Sequence, residues 1–428
     1  MNGRMNRRMI GLVSARVPDA KFERVPDPRR AHRRKWALST LLKVAVVALC
    51  AGARSLREVE NLTNEISSAV RRKLGVRRRL PDTTLRDVLV RLSPDSIRAS
   101  IYAMVRAAIR RKAIKADVLP FGVASMDGKV TAIEAWDDTI AQRSRHGGNR
   151  GGAHGLVRTV TTVLISSRAK PILDASPIPP KTNEDGHFVT ALDELLAAYG
   201  SLDLFRMVMY DSGACSQANA EAIRARCLHY TLRLDSKQPT LLAEGQRLLG
   251  GRDVPDAFTE EHTGRGIVRR SVFITNEAAG YHGWSHLKTI IRVHSERRSR
   301  DNTITASENI YYVSSLASDR LSPKLWIKML RLRWGVENQG HHTLDVAFQE
   351  DNKSWITTDP TGMVVVALLR RIAYNLMTLF RSVTQRSAAR RGTPWKDLLR
   401  WMYNALISAT KDQIARLRPR APEVTEEA

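Results

Sequence analysis

Between residues 116 and 235 the chain alternates in a way that fixes its fold class. Three runs rich in β-branched residues come first, at 118–127, 156–167 and 170–178. A helical stretch at about 183–199, a strand at 205–211, a helix at 217–227 and a strand at 229–235 follow. Strand-like runs separated by helical ones bury their apolar sides together as a helix-covered sheet. The expected fold is therefore α/β, built on a mixed-sheet core. Two of the strand runs end on an acid: GVASM leads into Asp127 and RMVMY into Asp211. An acid at the carboxyl end of a strand lies on the rim where α/β sheets take their ligands. A strand-end Asp is also a common turn former, so neither residue alone marks a site.

The flanks read differently. Residues 1–35 are polar, basic and punctuated by proline, as expected of a flexible basic arm. Residues 36–115 read as a helical DNA-binding domain. Leu38, Leu41, Leu42, Ala45, Val46 and Leu49 keep one helix face apolar, Gly52 stops it, and Ser55 with Glu58 forms a capping box for the next helix. Six of the nine positions from Arg71 to Arg79 are basic: Arg71, Arg72, Lys73, Arg77, Arg78 and Arg79. Core residues 116–237 are followed by a β-rich insertion at 238–320. At 321–382 the core returns, with Ser322-Pro323 opening a helix striped by Leu325, Met329, Leu332 and Val336, and with a strongly apolar helix from about 361. Residues 383–428 form a C-terminal helical tail.

Charge narrows the partners. The chain carries +26 overall, and residues 1–115 hold 28 Lys and Arg against 9 Asp and Glu, which is +19 of the total. Charge concentrated in one region points to a polyanion, and double-stranded DNA is the expected partner. The apolar stretch 37–51 has 15 residues and contains Lys43, too short to span a bilayer, so no membrane partner is expected. The basic N-terminus lacks the long apolar region of a secretory signal. Cys50, Cys215 and Cys227 form no CxxC pair, which favours a reduced, cytoplasmic chain without zinc knuckles.

A third acid lies far downstream. Arg333, Glu337, His341 and Asp345 are four apart, so on a continuous helix they share one face, either as a solvated salt-bridge row or as part of a site. Three carboxylates brought into one pocket suffice to hold two Mg²⁺ or Mn²⁺ ions, since such ions take oxygen ligands and keep several waters. Other chemistries lack their signatures: there is no HExxH and no GxSxG, and Gly128-Lys129 is followed by Val130 rather than the Ser or Thr of a P-loop. The segment 143–158 combines paired glycines with Arg143, Arg145 and Arg150, and reads as a phosphate-seeking loop beside the first two strands.

MDGK around Asp127, KTNE at 181–184, YDSGACSQ around Asp211 and RWGVENQGHHTLDVAFQED around Glu337 together resemble the DDE transposases of bacterial insertion sequences, most nearly the ISAs-one-like group. PDTTLRDVL at 81–89 and RRIAYNLM at 370–377 extend the resemblance over roughly residues 25–380. Arg333 and His342 depart from that group's usual His and Trp. The resemblance implies an RNase H-like core with Asp127, Asp211 and Glu337 as the metal-binding catalytic triad. It also implies supporting roles for Lys129, Arg333, Asn338, His341 and Asp345, and a β-rich insertion ahead of the glutamate helix. The activity it implies is metal-dependent cleavage at element ends and strand transfer into target DNA. The enzyme would act as a homodimer in a synaptic complex, in the bacterial cytoplasm at the nucleoid.

Overall fold

A computed structural model describes residues 3–144, 154–264, 266–352, 354–415 and 417. Six helices come first: α1 (Gly3–Arg16), α2 (Leu38–Cys50), α3 (Leu56–Glu65), α4 (Ser68–Leu74), α5 (Asp82–Leu89) and α6 (Pro94–Arg110). Strands β1 (Val123–Ile133), β2 (Ala141–Ser144), β3 (His154–Leu164) and β4 (Ile172–Pro177) lead to α7 (Glu184–Tyr199), β5 (Met207–Tyr210), α8 (Gln217–Ala225) and β6 (His229–Leu234). Helix α9 (Pro239–Leu249) precedes β7 (Ala257–Thr263), β8 (Gly266–Thr275), β9 (Thr289–Arg298) and β10 (Ile304–Ser314). Helix α10 (Pro323–Arg333) and a π-helical segment, Val336–His341, are followed by α11 (His342–Val346), α12 (Pro360–Leu379), α13 (Ala388–Arg391) and α14 (Trp395–Ser408).

The chain divides into two compact units. The sheet unit holds residues 115–129 and 159–340; the helical unit holds 1–114, 130–158 and 341–428. In the sheet unit β3 and β4 pair antiparallel, and β1, β5 and β6 are parallel neighbours, with α8 joining the last two. All four residues of β5 are buried, as in a strand covered on both faces. This is the mixed α/β core expected from the order of elements.

The region 238–320 is rich in strands, as expected, but its strands extend the core sheet. β10 pairs antiparallel with β6, and β9, β8 and β7 follow as a meander. Without β10 the last parallel strand would present a row of unpaired backbone groups, and the added strands remove that edge. The region also opens with α9, a helix absent from the sequence-based expectation although Pro239 stands at the position where proline starts helices.

In the helical unit α12 is the central element, and α2, α5 and α6 pack against it. It is long and apolar enough to cross a bilayer by length and composition, yet its side chains are buried within this unit. That burial also explains why residues after 341 group with the N-terminal helices, whereas the order of elements along the chain attaches 321–382 to the sheet. The expected flexible arm is corrected at its start: α1 packs on α14, buries Met9, Ile10 and Val13, and bonds Asn6 Nδ2 to Ser408 Oγ at 2.8 Å. The apolar spacing of a helix is present there, hidden among arginines. The basic run likewise splits. Ser67 caps α4, which carries Arg71, Arg72 and Lys73, and Gly75 ends it at φ +75°, leaving Arg77–Arg79 on the following turn.

Candidate active site

The register of β1 against β5 builds the site. Val123 faces Met207, Ala124 faces Val208 and Ser125 faces Met209. The paired register ends at Ser125 and Met209, two residues short of Asp127 and Asp211, so both acids leave the same end of the strand pair. Strand β1 does not end at Asp127 as expected; it runs on to Ile133, while its pairing with β5 stops at Ser125. Asp127 is 7% exposed, and Lys129, two residues on and on the same strand face, is also buried. Asp211 leaves β5 as the cap of a short 3-10 turn, its Oδ1 accepting from the Gly213 N–H at 2.7 Å.

Glu337 arrives by a different route from the one expected. The regular helix ends at Arg333, and the chain widens into the π-helical segment Val336–His341. Such wide turns are rare and concentrate at functional sites. The four-residue stripe is therefore interrupted. Arg333 and Glu337 still pair, at 3.7 Å between Nη2 and Oε1, but His341 and Asp345 belong to the helical unit. The buried stripe of α10 is also not the expected one. It consists of Trp326, Ile327, Met329, Leu330 and Arg333, with Leu325 and Leu332 only half-buried. Arg333 is 3% exposed, so a buried guanidinium pairs with the more exposed Glu337 carboxylate.

Electrostatics tie the acids together. Burial pushes the Asp127 carboxyl up to about 8, reinforced by repulsion from Asp211 and Glu337, opposed by Arg333, and reinforced again by Glu184. In the sequence Glu184 stands only as part of the KTNE motif. The acid in the first turn of a helix following the β4 strand is the available signal.

The remaining residues singled out in the sequence are spread more widely. Arg72, Lys73, Arg77, Arg78 and Arg79 are exposed on the helical unit, although Arg79 pairs with Glu60 at 3.0 Å and Arg71 donates to the Asn64 carbonyl at 3.0 Å. Arg143 lies over the Trp136 ring at 4.9 Å. Arg145, Arg150 and the Asn338 side chain lie outside the described residues.

The donor set is all carboxylate oxygen, which suits Mg²⁺ or Mn²⁺. Among the described residues no three acidic, histidine or cysteine side chains close around a single point as a ready-made metal shell. Magnesium sites of phosphoryl chemistry are commonly of this open kind, with one or two carboxylates completed by water and substrate phosphate. Carboxylates of like charge gathered around a buried Asp127 fit a cation that relieves them.

These features define an α/β protein with an acidic site where two parallel strands part. Residues 129–376 match the transposase DDE domain family, and residues 20–105 match the DDE_Tnp_1-associated family. The chain belongs to the transposase DDE domain family. The match begins two residues after Asp127. Among solved structures, the cryo-EM structure of the piggyBac transposase synaptic complex with hairpin DNA is similar at a TM-score of 0.44 and 10% identity, over 99% of this chain and 83% of that one. No curated protein matches the sequence.

Proposed function

We propose that this chain cuts DNA at the ends of an insertion sequence and joins the freed 3′ ends to target DNA. Asp127, Asp211 and Glu337 would hold two Mg²⁺ or Mn²⁺ ions. The observation that supports the reading is that Asp127 and Asp211 leave the same end of the paired segments of parallel β1 and β5, with Asp127 electrostatically coupled to Asp211 and to a Glu337 paired with buried Arg333. When bound, the ions would supply Lewis acidity to the attacking and leaving oxygens of an in-line displacement. Arg333 orients the Glu337 carboxylate, and the buried strand pair holds the two aspartates in place before DNA arrives. Exposed Arg72, Lys73, Arg77 and Arg78 would grip phosphate, and a homodimer would bring two ends together.

The test uses a supercoiled plasmid carrying the DNA that flanks the coding region. Wild type should nick it with Mg²⁺ and join ends to a second DNA. Asp127→Ala, Asp211→Ala and Glu337→Ala should bind but not nick, and undiminished nicking by one of them removes that acid from the triad. Cutting without joining would leave a nuclease in place of a transposase. Binding should weaken steeply with salt, and Arg77→Ala and Arg78→Ala should each lower the log–log salt slope by about 1 in fluorescence anisotropy. An unchanged slope would place the DNA elsewhere.

A further inference from the structure

The site contains a fourth carboxylate that a three-acid reading leaves out. Glu184 opens α7, and its position is fixed by Asn183, whose side chain caps the helix by accepting from the Gly186 N–H at 2.8 Å. The carboxylate rests against the backbone of Gly128. A Cβ at that residue would stand 1.9 Å from Glu184 Oε1 and 2.2 Å from its Cδ. On the other side, a Cβ at Gly213 would stand 2.9 Å from Asp211 Oδ1 and 3.1 Å from Glu184 Oε2. Those two oxygens are thus no more than about 6 Å apart, the scale of a site whose ions sit ~4 Å from each other. One glycine follows each aspartate closely, and both make room for the same side chain.

A second observation concerns the residue just before Asp211. The Tyr210 hydroxyl is fully buried and has no hydrogen-bond partner among the described residues. Its ring packs edge-on against Phe188, one turn after Glu184 on α7, with centroids 5.4 Å apart. A buried hydroxyl left unsatisfied is costly, and an ion's water or a phosphate oxygen is the kind of partner that would satisfy it.

We propose that Glu184 is a fourth oxygen ligand, acting with Asp127 and Asp211 on a divalent cation; this rests on the metal-dependent reading above. An acid in a first helical turn also favours the helix dipole, but that role would leave ion binding unchanged, and Asp185 in the same turn serves it equally.

The experiment titrates the full chain with Mn²⁺, without DNA, and counts free Mn²⁺ by electron paramagnetic resonance. Glu184→Gln removes the charge and keeps the shape; Gly128→Ala keeps the charge and displaces it. Both should lose one bound ion or weaken affinity at least tenfold relative to wild type, with Asp185→Asn staying near wild type and all melting curves comparable. Should Gly128→Ala fail to fold, Glu184→Gln alone decides. Wild-type binding in Glu184→Gln overturns the proposal and leaves the three-acid reading standing. Absence of Mn²⁺ binding by wild type overturns both.

Discussion

Asp127→Asn is expected to stabilise the metal-free protein at neutral and alkaline pH while abolishing strand cutting. The folded carboxyl titrates at about 8, against an ordinary value of 3.8. Below about pH 4 both folded and unfolded chains hold the proton. Between about 4 and 8 the unfolded chain has released it and the folded chain keeps it, so stability falls as pH rises through this window. Above 8 the folded chain carries an ionised carboxylate that burial and neighbouring acids oppose. Asparagine keeps the shape without the titration. The melting temperature of the variant should exceed that of wild type by a margin that widens from pH 5 to pH 9. The corresponding difference in unfolding free energy should reach a few kcal/mol, because each tenfold difference in proton affinity between the folded and unfolded chains is worth ~1.4 kcal/mol. Melts in EDTA check this, and a gap independent of pH would contradict it. Saturating Mg²⁺ should close the gap by stabilising wild type alone. A site that holds strain in its empty form and loses it on loading its ion is a familiar exchange of stability for activity.

Glu350→Ala is expected to be the most damaging single change outside the site. Glu350 pairs with Arg371 where the two side chains are 4% and 2% exposed. Arg370 is equally buried, beside the Trp355 ring at 5.8 Å, and burial pushes its ionisation down to about 10, with Glu350 the main opposing influence. One carboxylate therefore supports two guanidiniums inside the helical unit. Removing it leaves buried charge uncompensated, a loss of about 3–5 kcal/mol in urea unfolding. The double change Glu350→Leu with Arg371→Met should recover part of that loss, because it removes the Arg371 charge along with its partner and leaves Arg370 as the one guanidinium that has lost its main opposite charge. A loss below about 1 kcal/mol in the single variant would show that the pair is dispensable. Glu350 stands one residue from the end of the same sequence block as Glu337, yet its partners assign it to packing α12.

Asp127 and Asp211 stand out in the sequence because each closes an apolar run, and the alternation of strands and helices allows those runs to be parallel neighbours. Ser322-Pro323, Ser55 with Glu58, and the long apolar stretch from about 361 announce helices through local chemistry alone. By contrast, the sequence reads Glu337 on a continuous helix, whereas the structure interrupts the four-residue stripe with a π-helical turn just after buried Arg333. Glu184 escapes notice as a ligand because nothing in its own neighbourhood separates it from an ordinary helix-opening acid. Only Gly128 and Gly213, 56 and 29 positions away, reveal where its carboxylate lies.

By itself, then, the sequence determined what depends on neighbours along the chain: the order of strands and helices, their caps, the density of positive charge and the place of two acids after apolar runs. Tertiary structure alone decided the remainder. It extended the core sheet with β10 to β7, drew α1 and α12 into one helical unit, widened the turn at Glu337 and brought Glu184 against two glycines. Periodicity and capping act over one or two helical turns, whereas edge pairing, burial of charge and close approach depend on residues that meet only after the chain has folded.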